Sequence, residues 1–170
     1  MNLTNLRAAF EWVEAFSTSV ALRESTYGYT ILLTSHVVSM CLFLGLIIMM
    51  DLRLAGFGNL RTPVSEIQKR LFPWQIVGLV ITSLSGFLLF YSQPTRYYGK
   101  ALFWLKLVLM ALAGVNALAF HVTTYRSVAR WNTDRITPFG ARLAGILSLV
   151  LWAGVVVFGR LTAYNWFTYE

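Results

Sequence analysis

The chain is short of almost everything that soluble enzymes use. It has one cysteine, Cys41, so no disulfide closes within it, and CxxC zinc sites, covalent haem attachment and iron–sulfur clusters are excluded. Only two histidines, His36 and His121, and seven acidic residues occur among 170. No Gly-rich phosphate loop, HExxH zinc helix or Ser-His-Asp candidate is visible, which removes soluble-type hydrolase chemistry. Charged residues make up 12% of the whole against 57% hydrophobic, and the mean hydropathy is +0.62, which excludes an ordinary soluble domain.

What is present instead is four long apolar runs, approximately residues 29–50, 73–91, 101–123 and 139–161. Each is close to the ~20 residues that cross ~30 Å of hydrocarbon as a helix. The expected fold is therefore all-α: an integral membrane four-helix bundle forming a single domain over residues 1–170, with no internal repeat. Pro73 and Pro138 mark the first turns of the second and fourth spans, and Thr137 is placed to cap the fourth. Tyr and Trp residues cluster at span ends, as interfacial belts require.

The net charge of +7 is a topology marker rather than a nucleic-acid signal. Arg53, Arg61, Lys69 and Arg70 lie between spans one and two, and Arg126, Arg130, Arg135 and Arg142 between spans three and four. The other side carries Arg7, Arg23, Arg96, Lys100 and Arg160, a margin of eight basic residues to five. The positive-inside rule then puts the Arg-rich loops in the cytoplasm of a bacterial inner membrane and both termini in the periplasm. Residues 1–26 carry Leu3, Leu6, Phe10, Val13, Phe16 and Val20 at three- and four-residue steps, which predicts an amphipathic helix lying in the interface or covering the bundle. Lacking a basic start and a small-residue cleavage site, it does not read as a cleavable signal.

Gly78, Thr82 and Gly86 form a small-residue stripe on span two, with Ala113, Gly114 and Ala117 on span three and Ala141 and Gly145 on span four; close helix packing is the default use of such stripes. Cys41 reads as a small core residue and Asn116 as interhelical glue. Asp51 and Arg53 read as anchors at the end of span one.

Titratable groups inside lipid are costly unless bound or paired, so His36, Lys106 and His121 are the candidate functional residues. At 1.5 Å per residue, His36 falls about 5 Å to the outer side of its span's midpoint and His121 about 13 Å to the other side. Facing axial ligands of one haem stand only ~4 Å apart, so the two histidines do not share one iron. Met110, about 4 Å outside the midpoint, and Lys106, about 10 Å outside, share the layer of His36. A haem b there takes His36 as axial ligand, alone or with Met110 or Lys106, while Lys106 and Arg160 are cations for a propionate or an acidic substrate. His121 ranks lower, as a ligand or a hydrogen-bonded interfacial histidine.

The run from His36 through Gly45 to Asp51-Leu52-Arg53, the Lys106-Leu107 pair, the stretch from Asn116 to His121 and the ending Gly159-Arg160-Leu161-Thr162-Ala163-Tyr164 resemble a bacterial four-helix membrane family of unassigned function. More distantly, the span-one histidine, glycine and arginine with a lysine and histidine on span three are similar to the membrane protoporphyrinogen oxidase and copper-resistance D families. The first of these implies haem b, with His36 as ligand and Lys106 contacting the porphyrin; its oxidase activity is not carried over. Two-haem membrane cytochromes of the b561 type use four histidines, so that arrangement is excluded. The five methionines are scattered, which ranks copper handling below haem. The expected function is a membrane haem b protein passing electrons between a periplasmic redox partner and the quinone pool. The alternatives are a non-catalytic subunit or scaffold of a larger complex, or a homo-oligomer, and a porphyrin- or copper-handling membrane protein.

Overall fold

A computed structural model describes residues 3–164. Eight α-helices and a short 3-10 turn follow one another, with no strand among the described residues: α1 (Leu3–Glu14), α2 (Ser17–Glu24), α3 (Thr26–Ala55), α4 (Val64–Ser92), α5 (Pro94–Tyr98), α6 (Ala101–Val122), the 3-10 turn Tyr125–Ser127, α7 (Val128–Trp131) and α8 (Phe139–Leu161). Four of them, α3, α4, α6 with its extension to Trp131, and α8, are long and apolar enough to cross a membrane. The protein is a multi-pass membrane helical bundle, and its many exposed Val, Leu and Ile side chains face lipid.

The backbone ladders explain the order of the helices. Antiparallel α3 and α4 meet where Gln75 Nε2 donates to the Leu46 carbonyl (3.1 Å), where Gly78 lies against Phe43, and where Thr82 Oγ1 donates to Ser39 Oγ (3.1 Å). A Cβ on Gly78 would sit 3.0 Å from that of Phe43, so the small-residue stripe is what lets these helices touch. Helix α8 approaches α3 at Gly145, where a Cβ would come 2.8 Å from the Asp51 carbonyl oxygen, and Ala141 and Gly145 are buried there. Helix α6 packs on the other flank of α8, with Asn116 Nδ2 donating to the Ala144 carbonyl (2.9 Å), as interhelical glue should. The order across the bundle is α4–α3–α8–α6. Among the described residues α4 and α6 make no comparable backbone approach; Phe90 stacks on Phe103 at one end, and Gln68 and Phe72 meet His121 at the other.

Several boundaries differ from the sequence reading, each for a local reason. Helix α3 starts at Thr26 because Ser25 accepts from the Gly28 amide (3.0 Å), and it ends at Gly56, whose φ of 89° suits a residue without Cβ. Helix α4 runs unbroken from Val64, so Pro73 lies inside it rather than at its start. Its cap comes from a distant loop: Asn132 accepts from Ser65 N through Oδ1 (2.8 Å) and from Val64 N through its carbonyl (3.0 Å). Thr137 does not cap α8. Its hydroxyl donates instead to the Leu54 carbonyl (2.6 Å), satisfying the end of α3.

The N-terminal segment is two helices, not one, because Phe16 is extended between them. It also docks rather than lying free. Phe10 packs on Phe90 and Tyr98, Ser19 Oγ donates to the Tyr91 carbonyl (3.0 Å), and Glu14 pairs with Arg23 (3.1 Å) while accepting from the Thr95 hydroxyl at the start of α5. Met1 and Asn2 lie outside the described residues. Cys41 is exposed on the lipid side of α3 and not in the core, since the buried face of α3 is set by Ser39, Phe43 and Met50.

Candidate functional site

Two polar regions lie within the bundle, one at each end. The first surrounds His36, in the half nearest α1 and α2. Its Nδ1 stands 2.9 Å from Ser85 Oγ. That hydroxyl has a single proton, and the Ile81 carbonyl at 2.7 Å and the Thr82 carbonyl at 3.2 Å are backbone acceptors for it. With that proton given to the backbone, Nδ1 is the donor in the His36–Ser85 bond and Nε2 carries the lone pair of the neutral ring, which is the assigned tautomer. Gly86 makes room for the imidazole, since a Cβ there would be 3.0 Å from His36 Cε1. Ser39 Oγ donates to the His36 carbonyl and accepts from Thr82, so three hydroxyls fix this stretch of α3 against α4.

Lys106 faces the same region from α6. Its Cδ lies 3.3 Å from where Gly159 would carry a Cβ, and its Nζ sits 5.0 Å from the centre of the Phe103 ring. No hydrogen bond or ion pair to Lys106 exists among the described residues. The contacts Phe43–Trp152 across α3 and α8, and Lys106–Gly159 and Leu109–Gly154 across α6 and α8, give the register. They put His36 level with Lys106. Met110 falls just over one turn deeper, ~6 Å along the axis, so the depth match with Met110 expected from span midpoints shifts to Lys106. Arg160 is exposed, with its guanidinium 5.7 Å from the centre of the Tyr164 ring.

His121 lies at the other end. Its Nδ1 donates to the Ala117 carbonyl (2.9 Å), so Nε2 is the acceptor and takes the Gln68 amide (3.3 Å). Both ring nitrogens are engaged, and Phe72, Phe120 and Tyr125 surround the ring. The structure thus separates the two histidines, as the depth estimate requires, and leaves only His36 with a lone pair not already committed.

Near His121 lies the second polar region, which sequence reasoning took for a span-end anchor. Arg53 is fully buried; its Nε donates to the Thr62 carbonyl and its Nη2 to the Asp134 carbonyl, both at 3.1 Å. Asp51, also buried, has Ser148 as its side-chain hydrogen-bond partner. No ion pair joins Asp51 and Arg53 among the described residues, and Asp51 Oδ2 and Arg53 Nη1 are buried without partners. Around them Met50, Leu54, Val64, Ile67, Phe120, Trp131 and Ala141 form the main hydrophobic cluster. The only signal for this arrangement in the sequence is that an Arg two residues after an Asp ends an apolar run, which is equally what an exposed anchor shows.

Outside the spans, two groups near the His36 end are displaced from ordinary behaviour. Burial, reinforced by Arg96, pushes the Lys100 ammonium down while its Nζ donates to the Thr162 carbonyl (2.8 Å) and ties the end of α8 to the start of α6. Burial pushes the Tyr97 phenol up, with Tyr29 as its side-chain partner. No cluster of three or more His, Cys, Asp or Glu able to hold a metal ion occurs among the described residues.

No curated protein and no solved structure matches the chain. The comparisons show no likeness to the membrane protoporphyrinogen oxidase or copper-resistance D families. The match that is found covers residues 9–165, from α1 through the end of α8 and so both polar regions, and by it the chain belongs to DUF6644, a family of unknown function.

Proposed function

We propose that this protein binds one haem b through His36 and passes electrons between a periplasmic redox partner and the membrane quinone pool, with its arginine-rich end in the bacterial cytoplasm. The observation that carries this reading is the His36–Ser85 bond: a lipid-embedded imidazole whose Nδ1 is held by a hydroxyl already committed to the backbone has its Nε2 lone pair available as an axial ligand. The surroundings fit such a group. Gly86 lets the His36 ring lie close against α4 and Gly159 lets the Lys106 stem lie close against α8, and α4 and α6 make no close backbone approach between their aromatic bridges. When bound, the haem supplies a one-electron couple.

This chain's residues do the rest. Ser85 fixes the ring orientation and tautomer of His36, Lys106 offers an unpaired cation to a carboxylate at the same depth, and Phe90 with Phe103 screens that end from water. Orientation rests on eight basic residues against five.

The test is an absorption spectrum of the protein purified from haem-replete cells, oxidised and dithionite-reduced, with pyridine haemochrome quantitation. One haem per chain is expected, and a folded His36→Ala variant should lose it. A His36→Ala protein that keeps full haem refutes the assignment. A colourless wild type that co-purifies with a partner moves the function to a membrane subunit.

A further inference from the structure

The arginine-rich end carries a cleft that the His36 reading does not use. It lies between the α3–α4 loop and the loop before α8, has a volume of about 700 Å³, and is lined by Asn59, Leu60, Arg61, Thr133 and Arg135. Two arginines, an asparagine and a threonine therefore line one space. This donor set matches a tetrahedral oxyanion, because each guanidinium can give two parallel hydrogen bonds to adjacent oxygens.

The cleft is built rather than incidental. Arg53 is tied on one side to the carbonyl of Thr62, next to Arg61, and on the other to the carbonyl of Asp134, between Thr133 and Arg135. A single buried side chain thus fixes the separation of the two walls, and its Nη1 remains a buried donor without a partner. Asn59 holds the left-handed conformation (φ 51°) and accepts from the Thr62 amide (3.0 Å), making the tight turn that presents Arg61. Asp134 contributes its carbonyl to the Arg53 clamp, and its carboxylate is not part of the lining. Arg61 and Arg135 are exposed and make no hydrogen bond within the described residues, so their donors are available.

We propose that this cleft is a phosphate-binding site at the membrane boundary, taking the phosphate group of an anionic lipid or of a soluble phosphate compound. Its position at the end of the spans is where lipid phosphates lie. The inference is independent of the haem reading.

Two probes separate the sources. The first is native mass spectrometry of protein released from nanodiscs of mixed phosphatidylcholine and phosphatidylglycerol; the second is thermal stabilisation by inorganic phosphate in detergent. Retention of phosphatidylglycerol assigns a lipid headgroup, whereas stabilisation by inorganic phosphate alone assigns a soluble ligand. The R61Q/R135Q variant should weaken binding about 25-fold, at roughly fivefold per arginine. A charge-matched K69Q/R126Q control, altered outside the cleft, should stay within about twofold. A wild type that neither retains the anionic lipid nor responds to phosphate overturns the proposal, as does a control that loses as much as the cleft variant.

Discussion

At the arginine-rich end, polar groups reach across the chain and close on backbone: Arg53 on the Thr62 and Asp134 carbonyls, Asn132 on the first amides of α4, Thr137 on the last turn of α3. Around His36 the polar groups are hydroxyls on neighbouring turns of α3 and α4, and the cation facing them, Lys106, has no hydrogen bond or ion pair among the described residues. The first region is packed around the main hydrophobic cluster; in the second, Gly86 and Gly159 let His36 and Lys106 pack close against α4 and α8. The difference separates a region whose buried side chains hold distant loops together, with Asp51 Oδ2 and Arg53 Nη1 left without partners, from one whose hydroxyls orient a single ring. A side chain that bridges two loops through their backbone carbonyls reads as structure first, while an oriented imidazole inside the bundle reads as a candidate for chemistry.

The largest effect that would break this comparison is at Arg53. Arg53→Ala removes two charge-assisted hydrogen bonds and strands two loop carbonyls, and should destabilise the bundle by on the order of 3 kcal/mol, seen as a lowered thermal midpoint in detergent. A variant with unchanged stability would make the two ends equivalent. Next is a paired test of close packing. Gly145→Leu must push a side chain into the Asp51 carbonyl and should cost about 1–3 kcal/mol, whereas Gly45→Leu, with nothing within 4 Å of its Cβ position, should be nearly neutral. Equal losses would contradict the assigned faces. The smallest effect on stability is expected at Ser85, but it is the most specific. Ser85→Ala should leave the fold intact to within ~1 kcal/mol and, on the proposed haem reading, weaken haem affinity about tenfold or more, as loss of a ligand's hydrogen-bond partner does. Full occupancy with an unaltered spectrum would place the ligand elsewhere.

The sequence announced the spans because lipid imposes a length and a composition that local residues report directly. The Gly78–Thr82–Gly86 stripe and Asn116 were legible for the same reason: small and amide side chains in apolar helices have few uses other than contact, and both contact the neighbouring helix. Pro73 misled because proline usually opens a helix, yet a helix already running from Val64 tolerates it. The roles of Arg53, Asn132 and Thr137 were not legible, since their partners are 81, 67 and 83 residues away and two of the three pair only with backbone carbonyls, which carry no residue identity. His36 was found as a lone lipid-embedded histidine. Its partner Ser85, 49 residues on, was not, because serines are frequent in these helices.

The cap on α4 has a consequence for how the protein is made. A ribosome delivers α3 and α4 well before Asn132 exists, so the newborn hairpin has open amides at the start of α4 and an arginine with half of its partners missing. Only when the stretch after α6 arrives can that end close. Insertion of the first hairpin and its final docking are therefore separate events in time, and a chain halted after Val122 would hold its first two spans in the bilayer with one end still unfinished.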